Sequence, residues 1–133
     1  MSLDLVSQKA LLDQLKAYAP LAALVGTRIY DYVPQKPDFP FVNIGEDDLA
    51  QFDTTTNNGA KIAATIHTWS SIRGYKECKG IQAEIRSALH DASLTAAGFV
   101  FEYCLWESSQ SFIDADGVTR HGVCIYNLYL RES

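Results

Sequence analysis

His67, Ser70, Ser71, Arg73 and Glu77 stand within one short stretch of the chain, HTWSSIRGYKE. These are the residue types of nucleophilic catalysis, in which a histidine draws the proton from a serine hydroxyl and a charged neighbour orients or balances the pair. The chemistry also requires an oxyanion donor and a frame that holds the serine against its base. No G-x-S-x-G elbow surrounds Ser70 or Ser71. A small hydrolase using His67 with Ser70 or Ser71 is therefore an alternative that demands convergence of the three side chains in one concave pocket.

The remaining chemical candidates are weaker. His67, His90 and His121 show neither HxH nor HExxH spacing, so a zinc site would have to be assembled from distant parts of the chain, and no metal is expected. His90 falls near a helix end, where a capping role is expected, and His121, beside Arg120, is expected to face solvent or a partner. Asp114, Asp116 and Gly117 resemble the start of a calcium loop. The closing glutamate is missing, and Thr119-Arg120-His121-Gly122 follows, so a hairpin turn is expected. Gly26, Gly45, Gly59 and Gly74 are isolated, which excludes a glycine-rich phosphate loop. The chain is expected to carry no cofactor and to have no enzymatic activity.

Charge is informative at one place. The chain has 11 Lys plus Arg against 16 Asp plus Glu, a net charge of −5, which disfavours sequence-independent binding to a polyanion. Glu46, Asp47 and Asp48, with Asp53 beyond them, form the one dense acidic run. Such a run is usually a solvated loop; here it is also a candidate surface facing a lumen or a partner. Cys78, Cys104 and Cys124 sit among apolar neighbours and read as buried small hydrophobes of a reducing compartment. Neither a secretion signal nor a membrane-spanning apolar stretch is legible, so a cytosolic protein without membrane contact is expected.

The elements that must position these residues follow from periodicity. With 47% hydrophobic residues in 133, one core and one domain spanning 1–133 are expected. Leu5, Leu11, Leu12, Leu15 and Tyr18 recur at helical spacing from Asp4 to about Tyr18, and after the interruption at Pro20 a further helical turn or two closes at Gly26. TRIYDYV and FVNIGED read as strands joined by the proline-rich PQKPDFP, and DLAQFDTTTNNG reads as a long polar loop turning at Asn58-Gly59. AKIAATIHTW alternates as a strand with Ile62, Ala64 and Ile66 on one face. Cys78, Ile81, Ile85, Ala88 and Leu89 form one helical stripe, and a long hairpin turning at Asp114–Gly117 closes the chain. Grouped strands with helices before and between them predict an α+β fold, an antiparallel sheet packed against two main helices.

The ordered run Leu24-Val25-Gly26-Thr27-Arg28-Ile29-Tyr30-Asp31, then Val33-Pro34-Gln35, Phe39-Pro40-Phe41-Val42 and Ile44-Gly45-Glu46, resembles the tail completion, or tail terminator, proteins of long-tailed phages, prophages and gene transfer agents. The likeness continues through His67, Trp69 and Ser70, the helix opening at Gly74 with Glu77, Leu89-His90-Asp91, and Arg120-His121-Gly122. The resemblance implies an α+β structural protein whose subunits form a ring, usually of six, on the head-proximal end of the tail tube. Its implied partners are further copies of itself, the major tail tube protein and the head-tail connector or stopper, with DNA only in transit through the lumen. It implies assembly in the host cytoplasm and residence in the tail or neck of the virion; a neck stopper or connector is the nearest alternative. Ser71, Arg73, Tyr75, Arg120 and His121 are the candidate subunit-interface residues, with Tyr126 and Tyr129 as aromatic contributors, and Glu46, Asp47, Asp48 and Asp53 the candidate lumen or partner-facing ones.

Overall fold

The computed structural model describes residues 2–53 and 59–133. Helix α1 (Leu3–Ala17) starts where the Ser2 hydroxyl accepts from the Leu5 N–H at 3.4 Å, and α2 (Ala19–Val25) follows with Pro20 in its first turn. That position needs no intrahelical N–H, so the proline begins a second helix as well as ending the first. Val6, Ala10, Leu11 and Leu15 face the core, whereas Leu5, expected on that stripe, is 54% exposed. The expected strand at TRIYDYV contracts to β1 (Ile29–Tyr30).

Strands β2 (Phe41–Gln51) and β3 (Ala60–Ser70) pair antiparallel, helix α3 (Lys76–Leu89) crosses over, and β4 (Thr95–Ala96), β5 (Phe99–Ile113) and β6 (Arg120–Glu132) complete the chain. Among the described residues the sheet runs β1-β2-β3-β6-β5-β4, antiparallel except for the short parallel pairing of β1 with β2. This is the α+β fold expected from the sequence. One expectation is corrected: the polar loop does not begin at Asp48, because β2 continues through Glu46, Asp47 and Asp48 to Gln51. Every residue from Glu46 to Gln51 is exposed, so their charges stay largely hydrated within the strand, and β3 supplies the ladder. The turn expected at Asn58-Gly59 lies outside the described residues.

Both α1 and α3 pack on one face of the sheet. The α3 stripe of Cys78, Ile81, Ile85, Ala88 and Leu89 is buried throughout, against Ile62, Ile66, Leu128 and Tyr126 from β3 and β6. Full burial of one such side chain contributes about 1.5–3 kcal/mol. Tyr126 is wholly buried, so it belongs to the core and not to an interface. A Cβ at Gly122 would collide with the Gln82 amide and come within 3.0 Å of Cys78 Sγ, so glycine at this position lets α3 lie directly on β6. Burial in this apolar layer raises the Cys78 thiol to about 11 and Cys104 to about 12, which makes both inert.

Candidate functional site

The strict alternation of β3 sends Ile66, Thr68 and Ser70 inward and His67 and Trp69 outward. Ser70 and His67 therefore lie on opposite faces of the sheet, and no dyad forms. The Ser70 hydroxyl instead donates to Glu77 Oε1 at 2.7 Å and accepts from the Ile72 N–H at 3.3 Å, tying the end of β3 to the first turn of α3. Ser71 is exposed beyond the strand.

On the outer face the register sets Trp69 opposite both Phe41 and His121, and His67 opposite Asn43. Trp69 stacks on His121 with ring centroids 3.7 Å apart and donates its indole N–H to Asn43 Oδ1 at 2.7 Å. Phe41 stacks beyond Trp69 at 6.0 Å, and Phe112 of β5 tilts onto His121 at 4.9 Å. His67 Nε2 lies 2.7 Å from Glu46 Oε1, and His67 Nδ1 lies 2.8 Å from His121 Nε2. With both rings neutral one proton order satisfies this chain: His121 Nε2–H donates to His67 Nδ1, and His67 Nε2–H donates to the Glu46 carboxylate. The His67 ring lies over Gly45, where a Cβ would stand 2.6 Å from both Cδ2 and Nε2. The hydrogen bond from His67 holds the Glu46 carboxyl below the usual carboxylate range. Burial, and next the neighbouring His67, push the His121 imidazole down.

Two of the three histidines are thus brought together, which spacing along the chain did not reveal. They bond in series instead of converging, and among the described residues no group of three His, Cys, Asp or Glu side chains is placed to hold a metal ion. His90 is the C-cap of α3, its backbone N–H donating to the Arg86 carbonyl at 2.9 Å, while its ring accepts from the Trp106 N–H of β5 at 3.1 Å and so fastens helix to strand. Asp116 accepts from the Val118 and Thr119 N–H groups at 2.8 Å and from the Thr119 hydroxyl at 2.6 Å, and these bonds hold its carboxyl low. These bonds make the Asp114–Gly117 segment a hairpin turn, with Gly117 at φ +73°.

The acidic run does not make one patch. Glu46 sits in a bulge of β2 and turns to His67; Asp47 pairs with inward-facing Ala64, and Asp48 with outward-facing Ala63. Burial, then the nearby Asp4 and Asp48 charges, raise the Asp47 carboxyl. Asp53 accepts from the Gly59 N–H at 3.2 Å and from the Gln51 amide. The candidate interface residues do gather. Pairing of Ser70 with Arg120 places exposed Ser71 and Arg73, and half-buried Tyr75, at the end of the sheet where β6 begins with Arg120 and His121. Exposed Ile72, Ile113 and Val118 lie at the same end. At the opposite end Phe52, Tyr103 and half-buried Tyr129 form an edge-to-face aromatic group around a shallow cleft.

The family model for Tail completion protein gp17 matches residues 9–131. The chain belongs to that family. This tail completion chain is 29% identical over 116 residues to the Tail completion protein gp17 of Bacillus phage SPP1, covering 87% of this chain and 85% of that one. Its fold is similar to a chain of the virion of a native gene transfer agent particle, with TM-score 0.90 and 26% identity over 99% of this chain and 98% of the other. It is also similar to the structure of the bacteriophage SPP1 gp17 protein, with TM-score 0.60 and 25% identity over 91% and 86% of the two chains. The family resemblance carried by the Leu24–Glu46 run and the His67–Ser70 strand end is thereby borne out.

Proposed function

We propose that this chain is a structural protein of a phage-like virion that ends growth of the tail tube as a ring at its head-proximal end and joins the tail to the head connector. The observation that carries this reading is the likeness along 99% of its length, at TM-score 0.90, to a chain of a gene transfer agent virion. The opposed faces of His67 and Ser70 fit a structural and not a catalytic role. A closed ring needs two different complementary surfaces per subunit. The end of the sheet bearing Ser71, Ile72, Arg73, Tyr75, Arg120 and His121 supplies one of them, with its exposed apolar side chains beside two arginines. The exposed acids Glu46, Asp48 and Asp53 suit a lumen through which DNA must slide, since a basic lining would hold phosphates in place. Assembly takes place in the host cytoplasm, and the finished ring resides in the neck of the particle.

Electron microscopy of preformed tail tubes mixed with the labelled chain tests the assignment. Label at one tube end is the expected result. Label on portal assemblies and none on tube ends replaces the terminator with a neck stopper or connector.

A further inference from the structure

The two long edges of the sheet are finished differently. β5 pairs with β4 only at Phe99 and Val100, yet in its middle the outward backbone is capped from within the chain. The Asp91 N–H donates to Cys104 O at 2.9 Å, and the Trp106 N–H donates to His90 Nδ1 at 3.1 Å. β2, in contrast, is covered by β1 only at Val42 and Asn43.

The hydrogen-bond phase of the β2–β3 ladder fixes which groups the open part of β2 presents. The Phe52 N–H donates to Gly59 O at 2.9 Å, so Phe52 and Gly59 are a hydrogen-bonded pair. Pairing alternates from there, which leaves Asp47↔Ala64, Leu49↔Ile62 and Gln51↔Ala60 as the non-bonded pairs. The N–H and C=O groups of Asp47, Leu49 and Gln51 consequently turn away from β3, and no other element among the described residues pairs with them. Such a row is a template for an added strand. Leu49 and Phe52 beside it are 46% and 48% exposed.

We propose that the β2 edge from Asp47 to Gln51 is a docking edge for an extended, Lys- or Arg-bearing segment of a different protein, which adds as a further strand outside β2. Charge selects the occupant. Asp47 and Asp48 make no ion pair among the described residues, Asp4 lies near enough to raise Asp47 further, and Glu46 is engaged only by His67. A second copy is a poor occupant, because pairing the same edges would oppose these acids to themselves. The β5 edge is no better: it is capped at Cys104 and Trp106, and its bulge-free run Ser108–Ile113 carries no basic residue. Among the described residues the edge is open whether or not the chain ends tail tubes, so the docking assignment stands or falls independently of that role.

The test is calorimetric titration of the full chain with an acetylated, amidated decapeptide alternating lysine and threonine, with amide NMR shifts to locate it. Saturable binding with shifts centred on Glu46–Gln51 is expected. The same peptide N-methylated at every residue should bind about tenfold or more weakly, since it keeps the charge and loses the N–H donors of both its edges. Leu49→Pro removes an outward N–H and no bond to β3, so it should weaken binding as much at an unchanged Tm, while Leu49→Ala should keep it; if Leu49→Pro does not fold, the N-methylated peptide decides. Equal binding of the N-methylated peptide, absence of binding by the parent peptide, or a concentration-dependent dimer that the peptide cannot dissociate would each overturn the proposal.

Discussion

His121 Nε2 lies 2.8 Å from His67 Nδ1, and His67 in turn reaches Glu46, so strands β6, β3 and β2 are joined across the outer face by one chain of hydrogen bonds. Protonating both imidazoles would place two cations in direct contact. Of the charged groups that face His121, Glu46 and Asp114 favour its protonation and His67 opposes it, with burial the largest influence.

The sign of the pH dependence follows. The unfolded His121 takes up a proton near 6.5, whereas the folded ring resists protonation to lower pH. Stability is therefore full above that value and declines as pH falls below it. Glu46, held below its ordinary 4.5 in the folded state, adds stability that is lost as pH falls through its folded value. Thermal unfolding from pH 7.5 down to 5 should show a Tm that drops by several degrees, and His121→Phe, which keeps the stack on Trp69, should flatten the upper part of that drop.

Gly45→Ala puts a methyl 2.6 Å from two atoms of the His67 ring. The ring must move off Glu46, and a cost of about 1–3 kcal/mol is expected from overpacking. Chemical denaturation measures it, and NMR titration of Glu46 should show its carboxyl returning toward its ordinary value.

Ile85→Ala empties a fully buried position between α3 and the sheet. A loss of about 2–5 kcal/mol in denaturant unfolding is expected. A loss under about 1 kcal/mol would show that α3 is not packed as described.

Asp47 behaves oppositely to Glu46. Its raised carboxyl pKa means that the ionised form is disfavoured by folding, so its contribution turns unfavourable as pH rises above its ordinary 3.8. Asp47→Asn should raise Tm slightly at pH 7. The double change Asp47→Lys, Asp48→Lys should leave folding intact, and a loss above about 2 kcal/mol in thermal unfolding would contradict the exposed placement of this run.

The sequence made the helices and the alternating strand legible because their apolar residues repeat along the chain. Cys78 to Leu89 falls on one helical stripe, and Ile62 to Ile66 alternates. Leu5 misled because helical spacing admits two neighbouring stripes, and tertiary packing selected the one through Val6 and Ala10. The continuation of β2 through Glu46, Asp47 and Asp48 was hidden because composition signals solvent exposure, and an exposed strand with a partner has the same composition as a loop. The histidine chain was hidden for another reason. His67 and Trp69 share a face by parity, but their meeting with His121 and Glu46 depends on strand order and on the bulge at Gly45, which are set by the whole sheet. The same parity, applied to Ser70, already separates it from His67.

The growth of tail tubes from tail tube protein in the presence of increasing amounts of this chain, with tube lengths read by electron microscopy, tests the terminator role most directly. Tubes should shorten as the ratio rises, each closed at one end by a ring. Tube lengths unaffected by the chain, with bare ends throughout, would contradict it.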